Sequence, residues 1–130
     1  MNKTISVVVA ATGALFLAAP AHADTNPLWA ALSVSKSTGQ VGKAWNYRSE
    51  DDAHDAADES CGVADCAVMI DTEGDRYDRC IAVAQVPHGK WGSQYASDRD
   101  SAESFAKGAT LDREHAVVRG SVCQKQQRDY

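Results

Sequence analysis

Cys61, Cys66, Cys80 and Cys123 carry the most definite chemistry in this 130-residue chain. As disulfides, four cysteines allow three pairings. A rival use is metal binding: Cys61-x4-Cys66 with His54 or His115 offers thiolate and imidazole ligands for zinc. That spacing is not a common finger pattern. Thiol redox catalysis needs a tighter Cys-x-x-Cys with a lowered thiol pKa, and the sequence has none. Compartment decides between these uses, because an oxidising environment outside the cytoplasm converts such thiols to disulfides.

Other chemistry-bearing residues are less organised. Glu50, Asp51, Asp52, Asp55, Asp58 and Glu59 crowd one segment. A solvated helix face explains them, since early acids are favoured by the N-terminal end of the helix dipole. Asp71-x-Glu73-x-Asp75, with Asp78 nearby, resembles the start of a calcium loop, but Arg76 and Ala82 stand where glycine and glutamate are required. The segment reads as a linker. His54 lies on a helix beside acids, His88 in a turn and His115 at the start of a strand. None has a metal-type partner at helical spacing, so each reads as an ordinary surface or half-buried residue. There is no Gly-x-Ser-x-Gly elbow and no glycine-rich phosphate loop. Carboxylate pairs for glycoside hydrolysis are available but unplaced. No catalytic residue, cofactor site or metal site is therefore assigned. Trp29, Trp45 and Trp91 lie in segments that read as strands. They serve either as core or as an aromatic strip for a sugar or peptide, and they stand as candidate binding residues.

The elements that position these residues begin after a leader. Lys3 and the free amine precede an uncharged apolar run from Val7 to Ala19, and Ala21-His22-Ala23 places small residues where a signal peptidase reads. Residues 1–23 read as a secretory signal peptide and 24–130 as one exported domain. The apolar run is short for a membrane span, and no later stretch serves as one. Lys3 leaves with the leader, which takes the formal charge from −5 to −6. An acidic protein repels phosphate backbones and anionic headgroups, so nucleic acid and membrane surfaces are poor partners.

The mature segment repeats itself with a period near 50 residues. Ala53 and Ala57 fall on Ala102 and Ala106, and Ala67-Val68-Met69 on Ala116-Val117-Val118. With small gaps, Gly42-Lys43-Ala44-Trp45 meets Gly92-Ser93-Gln94-Tyr95, and Ala31-Leu32 meets Ala82-Val83. Each half, about residues 28–71 and 80–123, reads as strand, turn, strand, helix, strand. Ser49 and Asp98 suit helix N-caps and Gly62 a helix end. Ala53, Ala56, Ala57 and Ser60 form one buried stripe, and Ala102, Phe105, Ala106 and Ala109 the other. The expected fold is α+β: two ββαβ units, antiparallel strands with both helices packed on one face, stapled by disulfides. Asp24 to Pro27 and Gln124 to Tyr130 read as loose ends.

The duplication also bears on pairing. The counterparts of Cys61 and Cys66 are Thr110 and His115; those of Cys80 and Cys123 fall near Trp29 and Thr72. Cysteines are thus absent from the opposite half as pairs, which favours Cys61–Cys66 and Cys80–Cys123. In the chain-entropy picture the long loop contributes roughly 4 kcal/mol and the short one about 2.

Trp29-Ala30-Ala31-Leu32, Thr38-Gly39, Gly42-x-Ala44-Trp45, Ala53, Ala57, Cys61, Cys66, Cys80-Ile81-Ala82-Val83-Ala84, Trp91-Gly92, Ala102, Ala106 and Cys123 occur in this order. From Leu28 to Cys123 the pattern resembles the domain-of-unknown-function 4189 family of small secreted proteins from actinobacteria and other bacteria. Ala30 departs from the glycine of that family's usual opening, and Thr110 and His115 replace a further cysteine pair that many members carry. The resemblance implies export, duplication and disulfides, and no reaction.

Two functional readings follow. The first is a non-enzymatic binding or effector module acting outside the cytoplasm, in the medium, cell wall or periplasm, on another protein or an envelope polymer. The second is a small secreted hydrolase directed at the cell wall. Its mark would be a cleft holding His54 or His115 within hydrogen-bond reach of a carboxylate or serine.

Overall fold

A computed structural model describes residues 28–74 and 79–124. Residues 1–23, expected to be a leader, lie outside the described residues, as do Asp24 to Pro27, Asp75 to Asp78 and residues 125–130. Eight elements follow in order: β1 (Leu28–Val34), β2 (Val41–Tyr47), α1 (Glu50–Cys61), β3 (Ala67–Gly74), β4 (Arg79–Gln85), β5 (Trp91–Ala96), α2 (Arg99–Ala109) and β6 (Val117–Gln124). They form two antiparallel three-stranded sheets, ordered β2-β1-β3 and β5-β4-β6. Each sheet is one repeat. One irregularity is shared, β3 being bulged against β1 between Leu32 and Ser33 and β6 against β4 between Val83 and Ala84, whereas the shift of β2 against β1 between Trp29 and Ala31 has no counterpart.

Local chemistry sets the helix ends. The Ser49 hydroxyl accepts the Asp52 N–H at 3.1 Å, and Gly62 closes α1 with φ +73°. Only a residue without a Cβ adopts that left-handed backbone freely. Asp98 caps α2 by accepting the Ser101 N–H at 2.8 Å.

The central strands β1 and β4 are buried on both faces, and this generates the layers. Ala30, Leu32 and Val34 point one way and meet Ile81, Val83 and Val122 across the two sheets. Ala31 points the other way, onto Ala53 and Ala57 of α1. Ala82 and Ala84 likewise meet Ala102 and Ala106 of α2. Within each unit the helix therefore covers one face of its antiparallel strands. The two units join through their other faces, so the helices lie on opposite outer sides of a four-layer stack.

The helix-facing layers are built from alanine and glycine, which draws each helix close to its sheet. At Gly92 a Cβ would sit 2.6 Å from the Ala106 carbonyl oxygen and 2.6 Å from the Thr110 nitrogen. At Gly42, its counterpart, a Cβ would overlap the Ala57 carbonyl and stand 2.7 Å from Cys61 Cβ. This close approach explains a departure from the expected stripe. Ala102 and Ala106 are buried, but Phe105 is 51% exposed, because there is no room for a phenyl ring beneath a helix seated on glycine.

Cys61 is bonded to Cys66 just beyond the end of α1, and Cys80 to Cys123 directly across β4 and β6. Where the first disulfide sits, the second repeat has a hydrogen-bonded turn. Thr110 Oγ1 donates to the Lys107 carbonyl at 2.6 Å and accepts the Asp112 N–H at 3.2 Å, while His115 Nδ1 lies 2.9 Å from Asp112 Oδ1. Gln124, expected in a loose end, is fully buried in β6. Its Oε1 accepts the Asn46 N–H at 2.6 Å and its Nε2 donates to Asn46 Oδ1 at 2.9 Å, clamping the two sheets together. β3 runs past Asp71, the expected end of the first half, so that Glu73, expected in a linker, belongs to the strand.

Candidate functional site

Among the described residues, two of the places that gather polar side chains offer an arrangement capable of chemistry. The larger is a cleft of about 550 Å³ between the β1–β2 and β4–β5 turns, which the duplication brings to the same end of the stack. Lys36, Ser37, Thr38 and Gly39 form one wall and Gln85, Pro87, His88 and Gly89 the other, with Trp91 and Arg119 completing it.

A carboxylate from outside holds the first wall. Buried Ser35 donates through Oγ to Asp65 Oδ1 at 2.5 Å, and the Ser37 N–H donates to Asp65 Oδ2 at 3.1 Å. Thr38 Oγ1 donates to Ser35 Oγ at 2.8 Å. Accepting from Ser35 and Ser37 holds the Asp65 carboxyl below its ordinary 3.8. The second wall is a tight turn: the Gly89 N–H reaches the Val86 carbonyl at 2.7 Å, and His88 takes φ +58°. Arg119 is the extra residue of the β6 bulge, since Val83 pairs with Gly120 and Ala84 with Val118. A bulge re-aims its side chain, and this one carries a guanidinium to the cleft. The Trp91 ring is half-buried against the inter-sheet core. The cleft thus offers two exposed cations, hydroxyl and amide groups and one aromatic surface within a protein of net negative charge.

The second place lies on the outer side of the first repeat. His54 of α1 points at β3, where its Nε2 lies 2.5 Å from Asp71 Oδ2. Glu50, one helical turn earlier, brings Oε1 to 3.7 Å from the same nitrogen. The hydrogen bond and like charge of Asp71 push the Glu50 carboxyl above its ordinary 4.5, against the lowering effect of His54. Ligand atoms of Glu50, His54 and Asp71 all lie within 4.8 Å of one another. An open depression beside them is lined by Val68, Met69 and Ile70.

Trp29, Trp45 and Trp91 occupy three separate surroundings. Trp29 packs at the edge of the α1 layer, Trp91 lies in the cleft, and Trp45 is 52% exposed beside Lys43 and Arg99. His88 lines the cleft, whereas His115 only closes a local turn with Asp112. The reading that His54 has no partner at helical spacing is corrected by the structure, because Glu50 stands four residues before it. That signal was present in the sequence. Asp71 was out of reach, because only the packing of α1 on β3 brings it near. Lys36 and Arg119 were missed for the same reason: nothing local to either marks a cleft between two turns.

Among the described residues, no helix is long and apolar enough to cross a membrane. No curated protein and no solved structure matches the chain. Residues 29–123 match the family described as "Domain of unknown function (DUF4189)", which covers both repeats and all four cysteines. On that match the chain belongs to the DUF4189 family.

Proposed function

We propose that this protein is an exported, non-enzymatic binding module whose ligand site is the cleft between the two turns, and that its ligand is an anionic, hydroxyl-rich polymer of the cell envelope. One observation carries the reading: Lys36 and Arg119 converge with Trp91 on a cleft whose walls are locked by hydrogen bonds. A guanidinium and an ammonium suit carboxylate or phosphate groups, and an indole face suits a sugar ring. Preformed walls limit the ordering cost of binding. Two disulfides fit an oxidising compartment, and the leader supports export. The test is co-sedimentation of the oxidised protein with purified cell-wall polymer. Retention should fall as salt rises and be reduced about tenfold or more by Arg119→Glu and by Trp91→Ala. Retention unaffected by both substitutions would refute the reading.

A second reading, a small cell-wall hydrolase, is favoured by one contact. His54 Nε2 lies 2.5 Å from Asp71 Oδ2, the histidine–carboxylate geometry expected of an acid–base pair. Among the described residues no serine is hydrogen-bonded to His54, so any such enzyme would activate water rather than a serine. Envelope-hydrolase activity abolished by His54→Ala would establish this reading, and activity indifferent to that change would remove it.

A further inference from the structure

We infer that Glu50, His54 and Asp71 form a binding site for one divalent transition-metal ion of the zinc type, on the outer side of α1 and β3. The site is distinct from the proposed ligand cleft and shares no residue with it. Three atoms supply the ligands: Oε1 of Glu50, Nε2 of His54 and Oδ2 of Asp71. Metal–ligand bonds of about 2.1 Å at tetrahedral angles place ligand atoms roughly 3.4 Å apart. The separations from Nε2, 2.5 Å to Asp71 and 3.7 Å to Glu50, bracket that spacing. Small side-chain rotations on two packed elements therefore reach coordination, and the depression beside Met69 leaves an open position for water.

The electrostatics favour a dication. Two carboxylates and a neutral imidazole carry two negative charges, and Asp51, Asp55 and Asp58 on the same helix add to the field. The N-terminal end of α1 opposes a cation with only about half a charge. His54 by itself can offset at most one of these two charges, whereas a dication offsets both. One nitrogen with two carboxylate oxygens selects a borderline ion such as zinc over calcium or magnesium, which take oxygen ligands in greater number.

The experiment is calorimetric titration of zinc chloride into the oxidised protein at neutral pH, with calcium chloride in a parallel cell. Binding should saturate at one zinc per chain, with calcium at least about tenfold weaker. Glu50→Gln, His54→Ala and Asp71→Asn should each weaken zinc by about tenfold or more, while His115→Ala leaves it unchanged. Glu50 is at the exposed start of the helix, so its variant tests the site even where the others disturb folding. The inference is overturned by zinc dissociation constants above about 1 mM. It is equally overturned by affinity that survives Glu50→Gln and His54→Ala, or that is lost with His115→Ala.

Discussion

Replacing Gly42 by alanine tests how the helices are seated. At this position the new Cβ would overlap the Ala57 carbonyl and stand 2.7 Å from Cys61 Cβ, so backbone or a cross-linked side chain must move. Alanine at a compatible site gains about 0.4–1 kcal/mol through the unfolded chain. Forcing a methyl group into filled space costs typically about 1–3 kcal/mol, with the upper end where backbone is the obstacle. Here α1 cannot slide freely, because its last residue is bonded to Cys66. The net loss should be about 2–3 kcal/mol, which in a domain of this size lowers Tm by roughly 8–20 °C. Gly92→Ala meets the equivalent obstacle at 2.6 Å, but α2 has no disulfide at its end and yields more easily, so about 1–2 kcal/mol is expected. Gly39→Ala is the control: nothing lies within 4 Å, and its φ of +79° costs about 1 kcal/mol. Urea unfolding of the three oxidised variants, at equal m-value, gives the order. Gly42→Ala as stable as wild type, or less destabilised than Gly39→Ala, would refute the close seating of α1 on β2.

Three further expectations can be checked on the same protein. Gln124→Ala removes both hydrogen bonds to Asn46, an exposed residue whose freed groups can turn to water, and should cost about 1–2 kcal/mol in chemical unfolding. Engineering Thr110→Cys with His115→Cys supplies in the second repeat the staple present in the first; mass spectrometry should show the bond forming, with a gain of up to about 2 kcal/mol less the lost Thr110 and His115 hydrogen bonds. Asp65 and Glu50 should give stability–pH profiles of opposite sign. Asp65 titrates below 3.8 in the folded state, so its contribution is present above 3.8 and lost as the pH falls through its folded value; Asp65→Asn should flatten that acid limb. Glu50 titrates above 4.5, so its contribution is present below 4.5 and lost as the pH rises through its folded value; Glu50→Gln should remove that loss.

What the amino-acid sequence determined by itself is local. Ser49, Gly62 and Asp98 mark helix ends because capping is a contact among near neighbours. The repeat supplies the order of strands and helices twice over, and it is the order observed. The missing cysteine counterparts single out the same two pairs that are bonded in the structure.

Tertiary structure alone decided how these pieces use their faces. Leu32 and Ala31 are both apolar, and only the meeting of two sheets sends one inward and the other to a helix. Phe105 sits at a correct helical spacing yet faces solvent, because Gly92 draws the helix down onto its sheet. Gln124 reads as tail until Asn46, far away in the chain, supplies its partner. The candidate sites follow the same rule. Glu50 and His54 are neighbours through helix geometry, but Asp71 joins them, and Arg119 joins Lys36, only through packing between elements distant in sequence. No local spacing encodes such an encounter, because it depends on which faces the whole chain has left free to bury.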